Sequence, residues 1–159
     1  MKAARYGCAG VVLSNHGGRQ LDTARSGIEI LPEVVSSLRS AGVKVGAGGP
    51  SKGEFAVFVD GGVRRGSDIF KALALGATGV GIGRPVLYSL ASFGEDGVAR
   101  MVQLLKDELI MVMRLNGTPT IKDITGDHVD ASSLSNHGNA AMIKDELFLG
   151  VYQPHRTSL

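Results

Sequence analysis

Short apolar runs, each stopped by polar and glycine residues, recur along the first two thirds of the chain. The first, residues 9–13 (AGVVL), lies between Gly7 and Gly17, and its β-branched content predicts a strand buried on both faces. Apolar residues at 28, 31, 35 and 38 then keep the three- and four-residue spacing of a helix face. This predicts a helix over 28–38, with Pro32 tolerable only near its first turn. Residues 42–53, GVKVGAGGPSKG, read as a flexible surface connection. A second buried strand, AVFV at 56–59, stops at Asp60-Gly61-Gly62; Ser67 is suited to cap the next helix, which points Ile69, Phe70 and Leu73 inward and ends at Gly76. The third unit opens with Gly79-Val80-Gly81-Ile82, passes Gly83-Arg84-Pro85 and enters a helix, Pro85 fitting its first turn. Val98, Met101, Val102, Leu105, Leu109 and Val112 form the most regular helical stripe and read as core. From Gly126 onward the periodicity fades, and an extended tail is expected.

Strands alternating with helices imply an α/β fold of parallel βαβ units with right-handed crossovers. The loops at the carboxyl ends of the strands then emerge on one face, so segments 14–22, 60–66 and 83–84 should converge.

Composition narrows the partners. At 159 residues and 43% hydrophobic, the chain can bury one core. Its 17 basic and 15 acidic side chains leave a net charge of +2 with no block of like charges, which disfavours nucleic acid. The one cysteine, Cys8, has no intrachain partner and no metal-ligand spacing, and reads as a small buried thiol; no metal is expected. Neither a signal peptide nor an apolar run of membrane-spanning length appears, so a soluble intracellular chain without membrane association is expected. The 23 glycines matter through their position, because they cluster at strand ends.

The polar turns carry the candidate chemistry. Ser14-Asn15-His16-Gly17-Gly18-Arg19-Gln20-Leu21-Asp22 follows the first strand directly, which brings His16 and Arg19 to the mouth of a parallel sheet. An imidazole can take a proton near neutral pH, and a guanidinium can grip a carboxylate through two parallel hydrogen bonds. The pair suits a small acidic substrate. A lone histidine is more often structural, and Ser135-Asn136-His137-Gly138 provides an internal contrast: it repeats the four letters without a preceding strand or a following arginine. His137, His128 and His155 therefore read as solvated loop residues. Asp60-Gly61-Gly62-Val63-Arg64-Arg65-Gly66 sets unshielded backbone amides beside two guanidinium groups, and Gly83-Arg84 precedes a helix amino terminus. Both arrangements favour a phosphate. No GxGxxG or GxxxxGK[ST] fingerprint is present, which disfavours Rossmann and P-loop nucleotide sites.

Through SNHGGRQLD, VFVDGGVRRGSDIFKALALGA and GVGIGRPVLY, the chain resembles the FMN-dependent 2-hydroxy-acid dehydrogenase and oxidase family from about Lys2 to Ile124. The tail segment DELFLGVY most resembles that of the family's fungal lactate flavocytochrome branch. The resemblance implies a TIM barrel of which residues 1–125 hold strand–helix units six to eight, with 126–159 as an extended tail. It implies FMN as cofactor and the oxidation of a 2-hydroxy acid such as L-lactate to a 2-oxo acid. His16 matches the catalytic base and Arg19, with His16, the substrate-binding pair. Ser14, Asp60, Gly61, Gly62, Val63, Arg64, Gly83 and Arg84 match flavin-contacting positions. The complete enzyme would be a homo-oligomer, mitochondrial or cytoplasmic. Proton or hydride departure, and oxygen or a haem domain as electron acceptor, stay open on these residues. A complete barrel takes about 250 residues, so the chain reads as a fragment inactive alone. The alternative is a non-catalytic phosphate-binding half-barrel that pairs with another chain.

Overall fold

The computed structural model describes residues 1–46 and 53–137. A short helix α1 (Lys2–Arg5) leads into β1 (Gly10–Leu13), followed by α2 (Gly27–Ser40), β2 (Ala56–Val59), α3 (Gly66–Ala74), β3 (Gly79–Val80) and α4 (Arg84–Leu115). The strands form one parallel sheet in the order β1-β2-β3, with Gly10 beside Ala56, Leu13 beside Val59 and Val59 beside Val80. This is the α/β architecture expected from the alternating pattern.

The predicted helix face over 28–38 forms as α2, which starts one residue and ends two residues outside those bounds. Glu29 accepts a hydrogen bond from the Ser26 amide at 2.7 Å, satisfying a free donor at the helix start. Leu31, Val35 and Leu38 are buried and join Leu13, Val57, Val59 and Ala77 in the main core. Burial of each of these leucine and valine side chains contributes about 1.5–3 kcal/mol. Pro32 lies inside α2 rather than at its start. Where the glycine-rich connection was expected, Val45 pairs in parallel with Phe55, and buried Thr78 donates its hydroxyl to the Gly46 carbonyl at 2.6 Å while accepting from the Val57 amide at 2.9 Å. Those contacts extend the sheet's order beyond β2; residues 47–52 lie outside the described residues.

A second core joins Phe70, Leu73 and Ala74 of α3 to Ile124, with Ile69, Leu109, Val112 and Met113 packed around them. The α4 stripe is therefore core over part of its length: Leu105 is buried, whereas Val102 is 46% exposed. The helix breaks at Gly94 (φ 64°, ψ −151°), separating a first segment, whose Leu87, Tyr88 and Phe93 are exposed, from the segment packed on α3. Residues 126–128 and 132–137 form short 3-10 turns. The DELFLGVY segment of the tail lies outside the described residues.

Several expectations need correction. Ser67 is not the cap of α3, because the helix starts at Gly66 and puts Ser67 within its first turn; Asp68 instead accepts from the amides of Arg64 and Arg65 at 3.0 and 2.9 Å. Cys8 is exposed, not buried, since it sits in the turn between α1 and β1 where Gly7 takes φ 78°. Strand β1 is not buried on both faces: Val11 and Leu13 pack in the core with α2, whereas Val12, which alternation puts on the opposite face, is 61% exposed. His128 is not simply solvated; its ring meets Phe70 edge-on at 6.1 Å.

An unpaired parallel edge with an exposed valine invites association with another edge. The 159-residue chain is expected to self-associate. Sedimentation velocity checks this: a single sharp monomer boundary, accompanied by a cooperative melt, would contradict it.

Candidate active site

The loops after β1, β2 and β3 converge at the carboxyl ends of the strands, as the parallel topology requires. They enclose a cleft of about 540 Å³, lined by His16, Gly17 and Arg19 from the first loop, 60–64 from the second and 81–87 from the third. Of the ten residues expected at the site, Ser14 alone does not line the cleft. Its hydroxyl accepts from the His16 amide at 3.0 Å, so it shapes the loop that carries the imidazole.

That loop is unusual in its backbone. His16, Gly17 and Gly18 take successive left-handed φ values of 57°, 65° and 76°. The glycines meet this at no steric cost, whereas His16 does so with a side chain. Asn15 steadies the turn by accepting from the Gly18 amide at 3.1 Å. The Gln20 side-chain amide lies 2.6 Å from His16 Nδ1. This contact controls the proton inventory of the ring. If Gln20 offers its carbonyl oxygen, Nδ1 carries the hydrogen and Nε2 is left with the lone pair that can take a proton; if it offers its NH2, the reverse holds. Arg84 Nη2 reaches across from the third loop to the Gly17 carbonyl at 3.2 Å, tying the two loops together.

The second loop supplies backbone without side-chain shielding. Gly61 and Gly62 have φ 88° and 78°, and a Cβ added at Gly62 or Gly83 would meet nothing within 4 Å, so the space before these amides is open. Among the described residues, ion pairs hold Arg25 and Arg65 but none holds Arg19, Arg64 or Arg84. Three uncompensated guanidinium groups thus face one cleft, which suits a phosphate and a carboxylate. Asp60 adds the opposite requirement: its Oδ1 is buried without a hydrogen-bond partner. A buried carboxylate oxygen left in that condition calls for a donor, and a hydroxyl of a bound molecule would provide one.

Arg65, read in the sequence as a second phosphate cation, does not line the cleft. It forms a two-pronged pair with Glu108 of α4, Nη2 to Oε1 at 2.8 Å and Nε to Oε2 at 3.1 Å, and the same carboxylate accepts from the Gly66 amide at 2.8 Å. The Arg65 guanidinium, aided by that amide, holds the Glu108 carboxyl below the ordinary glutamate range, and Glu108 in turn raises Arg65. Because the folded value lies below the unfolded one, the pair's contribution to stability is fully present above the ordinary glutamate pKa. It is lost as pH falls through the lowered value. Sequence reasoning missed Glu108 because it lies 42 residues from Gly66, on a helix whose local pattern marks only its apolar stripe. Gln20 was within reach, being four residues from His16 in the same motif. The His137 side chain and His155 lie outside the described residues.

Residues 1–131 match the FMN-dependent dehydrogenase family. The chain is 48% identical over 151 residues to an L-lactate dehydrogenase (cytochrome) of Wickerhamomyces anomalus, covering 95% of this chain and 25% of that protein. It is 50% identical over 129 residues to a peroxisomal (S)-2-hydroxyacid oxidase of Arabidopsis thaliana, covering 81% of this chain and 32% of the relative. The structure superposes on the flavin-binding domain of baker's yeast flavocytochrome b2 with a TM-score of 0.77 and 45% identity, covering 96% of this chain and 37% of that one. The chain therefore spans a quarter to a third of the curated relatives' length, and its three parallel units are a sector of their TIM barrel. Sequence, fold and the convergence of the three loops agree, and this chain belongs to the FMN-dependent dehydrogenase family.

Proposed function

We propose that this chain supplies the carboxyl-terminal sector of an FMN-dependent enzyme that oxidises a 2-hydroxy acid, such as L-lactate, to a 2-oxo acid. The observation that carries the reading is the single cleft shared by His16, Arg19, Arg64, Arg84 and the Gly61–Gly62 backbone. The relatives' names, for an L-lactate dehydrogenase and an (S)-2-hydroxyacid oxidase, support the substrate class.

The residues fit the phosphate and sugar-alcohol end of FMN. Gly61, Gly62, Val63, Arg64, Gly83 and Arg84 would hold the phosphate through open amides and guanidinium groups, and the unpartnered Asp60 oxygen would accept from a ribityl hydroxyl. Ser14 would act through the His16 loop. When bound, FMN supplies the acceptor for the two electrons removed from the substrate. Arg19 would hold the substrate carboxylate, and His16 Nε2 would take a proton in the tautomer that carries its hydrogen on Nδ1, with the Gln20 amide turned to present its carbonyl oxygen to Nδ1 in place of its NH2. The division into a barrel portion, 1–125, and a tail, 126–159, belongs to the same reading and is supported by a family match that ends at residue 131. Homo-oligomerisation and a mitochondrial or cytoplasmic location extend it on the resemblance alone. Among the described residues no helix is long and apolar enough to cross a membrane.

Two proteins test the proposal: the chain itself, and a chimera in which it replaces the matching stretch of baker's yeast flavocytochrome b2. The chimera is expected to retain FMN through desalting and to oxidise L-lactate. The chain alone, lacking walls around the flavin ring among its described residues, is expected to lose FMN on desalting. A chain that stays yellow with near-stoichiometric flavin, or a folded chimera devoid of it, would contradict the assignment.

A further inference from the structure

We infer that Glu108 is a positioning residue for the phosphate loop, holding residues 60–66 against α4 so that Arg64 and the glycine backbone, and not Arg65, meet the phosphate. The inference rests on the reading of the cleft as a phosphate site. Three observations support it. The backbone at Arg65 is extended (φ −130°, ψ 155°), and extended backbone sends successive side chains to opposite sides. Arg64 accordingly lines the cleft, while Arg65 points to α4 and closes on Glu108 through two contacts. Second, the Glu108 carboxylate takes the Gly66 amide as well, so one side chain holds both the loop's guanidinium and the first residue of α3. Third, Gly66 sits so close to α4 that a Cβ would clash with the backbone of Glu108 and Leu109; nothing but glycine allows this approach.

The loop is thus fastened at its far end by Glu108 and Asp68, while Gly61, Gly62 and Arg64 line the cleft with the third loop. Glu108 also neutralises one of the two adjacent arginines outside the cleft. A phosphate entering the cleft meets Arg64 without competition from Arg65.

Binding of FMN and of riboflavin to the chimera, freed of its flavin, is compared by fluorescence titration, and the ratio of their affinities isolates the phosphate's share. Glu108→Gln keeps the side chain's shape but removes its charge. It is expected to reduce the ratio by at least about fivefold, the scale of coupling within one hydrogen-bonded network. Arg64→Gln should reduce it more, and Arg65→Gln less. If Arg65 gripped phosphate itself, freeing it by Glu108→Gln would leave the ratio unchanged or raise it, and this would overturn the inference. So would a Glu108→Gln protein that melts lower yet keeps the ratio, since that is a structural role only. An Arg65→Gln loss as large as that of Arg64→Gln would overturn it even if Glu108→Gln fails to fold. An unmodified chimera that binds FMN no better than riboflavin would instead remove the phosphate reading of the cleft, and this inference with it.

Discussion

In the chimera, His16→Gln is expected to slow reduction of bound flavin by L-lactate about 10² to 10⁴-fold, the usual contribution of a positioned general base. Glutamine has a similar reach and polarity but takes no proton near neutral pH. Flavin content should be unchanged, because Asp60 to Arg64 and Gly83-Arg84 are untouched. Anaerobic stopped-flow mixing follows the bleaching of oxidised flavin and separates this step from later electron transfer. Two controls bracket the result. His16→Asn places a residue that adopts left-handed φ more readily at the position where φ is 57°, so an equal loss there assigns the effect to the imidazole rather than to backbone strain. His137→Gln alters the tail's second SNHG and should leave the rate alone. Reduction by His16→Gln within a few-fold of the unmodified rate would leave this loop with a flavin-binding role only.

The second large effect is expected at Arg19. Arg19→Lys preserves the charge but removes the planar fork that meets a carboxylate through two parallel hydrogen bonds. A hydrogen bond to a charged group contributes about 1.5–3 kcal/mol, so losing one arm should lower kcat/KM roughly 10- to 100-fold, with flavin content constant. Arg19 lines the cleft and, among the described residues, has no ion-pair partner to hold it elsewhere. An unchanged KM and kcat would mean that the carboxylate is held by another group. A loss of flavin instead would place Arg19 on the cofactor side of the cleft.

Much of this arrangement was legible in the chain because it depends on local signals. An apolar run ended by Asp60-Gly61-Gly62 is enough to set β2 at Ala56–Val59, and parallel topology alone gathers the three loops. What escaped depends on neighbours distant in sequence. AGVVL reads as buried on both faces, but a face is buried only where an element packs over it, and Val12 lies on the face opposite the one that carries Leu13 into the α2 core. The four residues of α1 are too few to show a helical period. Arg64 and Arg65 look equivalent as adjacent letters and become different through the extended backbone at Arg65 and through Glu108, which arrives from α4, beyond α3 and β3. Ser67 lost the capping role because α3 starts at Gly66, two residues before the start that a cap at Ser67 would set, and Asp68 accepts from the Arg65 amide.

The left-handed backbone at His16 sets stability against chemistry at a single position. An L side chain in that region costs roughly 1–2 kcal/mol, which glycine avoids. The two residues that follow are already glycine, so a third would complete the turn without strain. Variants of this chain chosen for thermal tolerance alone would drift toward glycine at position 16. The hardiest of them would be those that had discarded the imidazole. Screens aimed at a more robust protein should therefore score turnover alongside melting, since heat tolerance by itself rewards the erasure of the site.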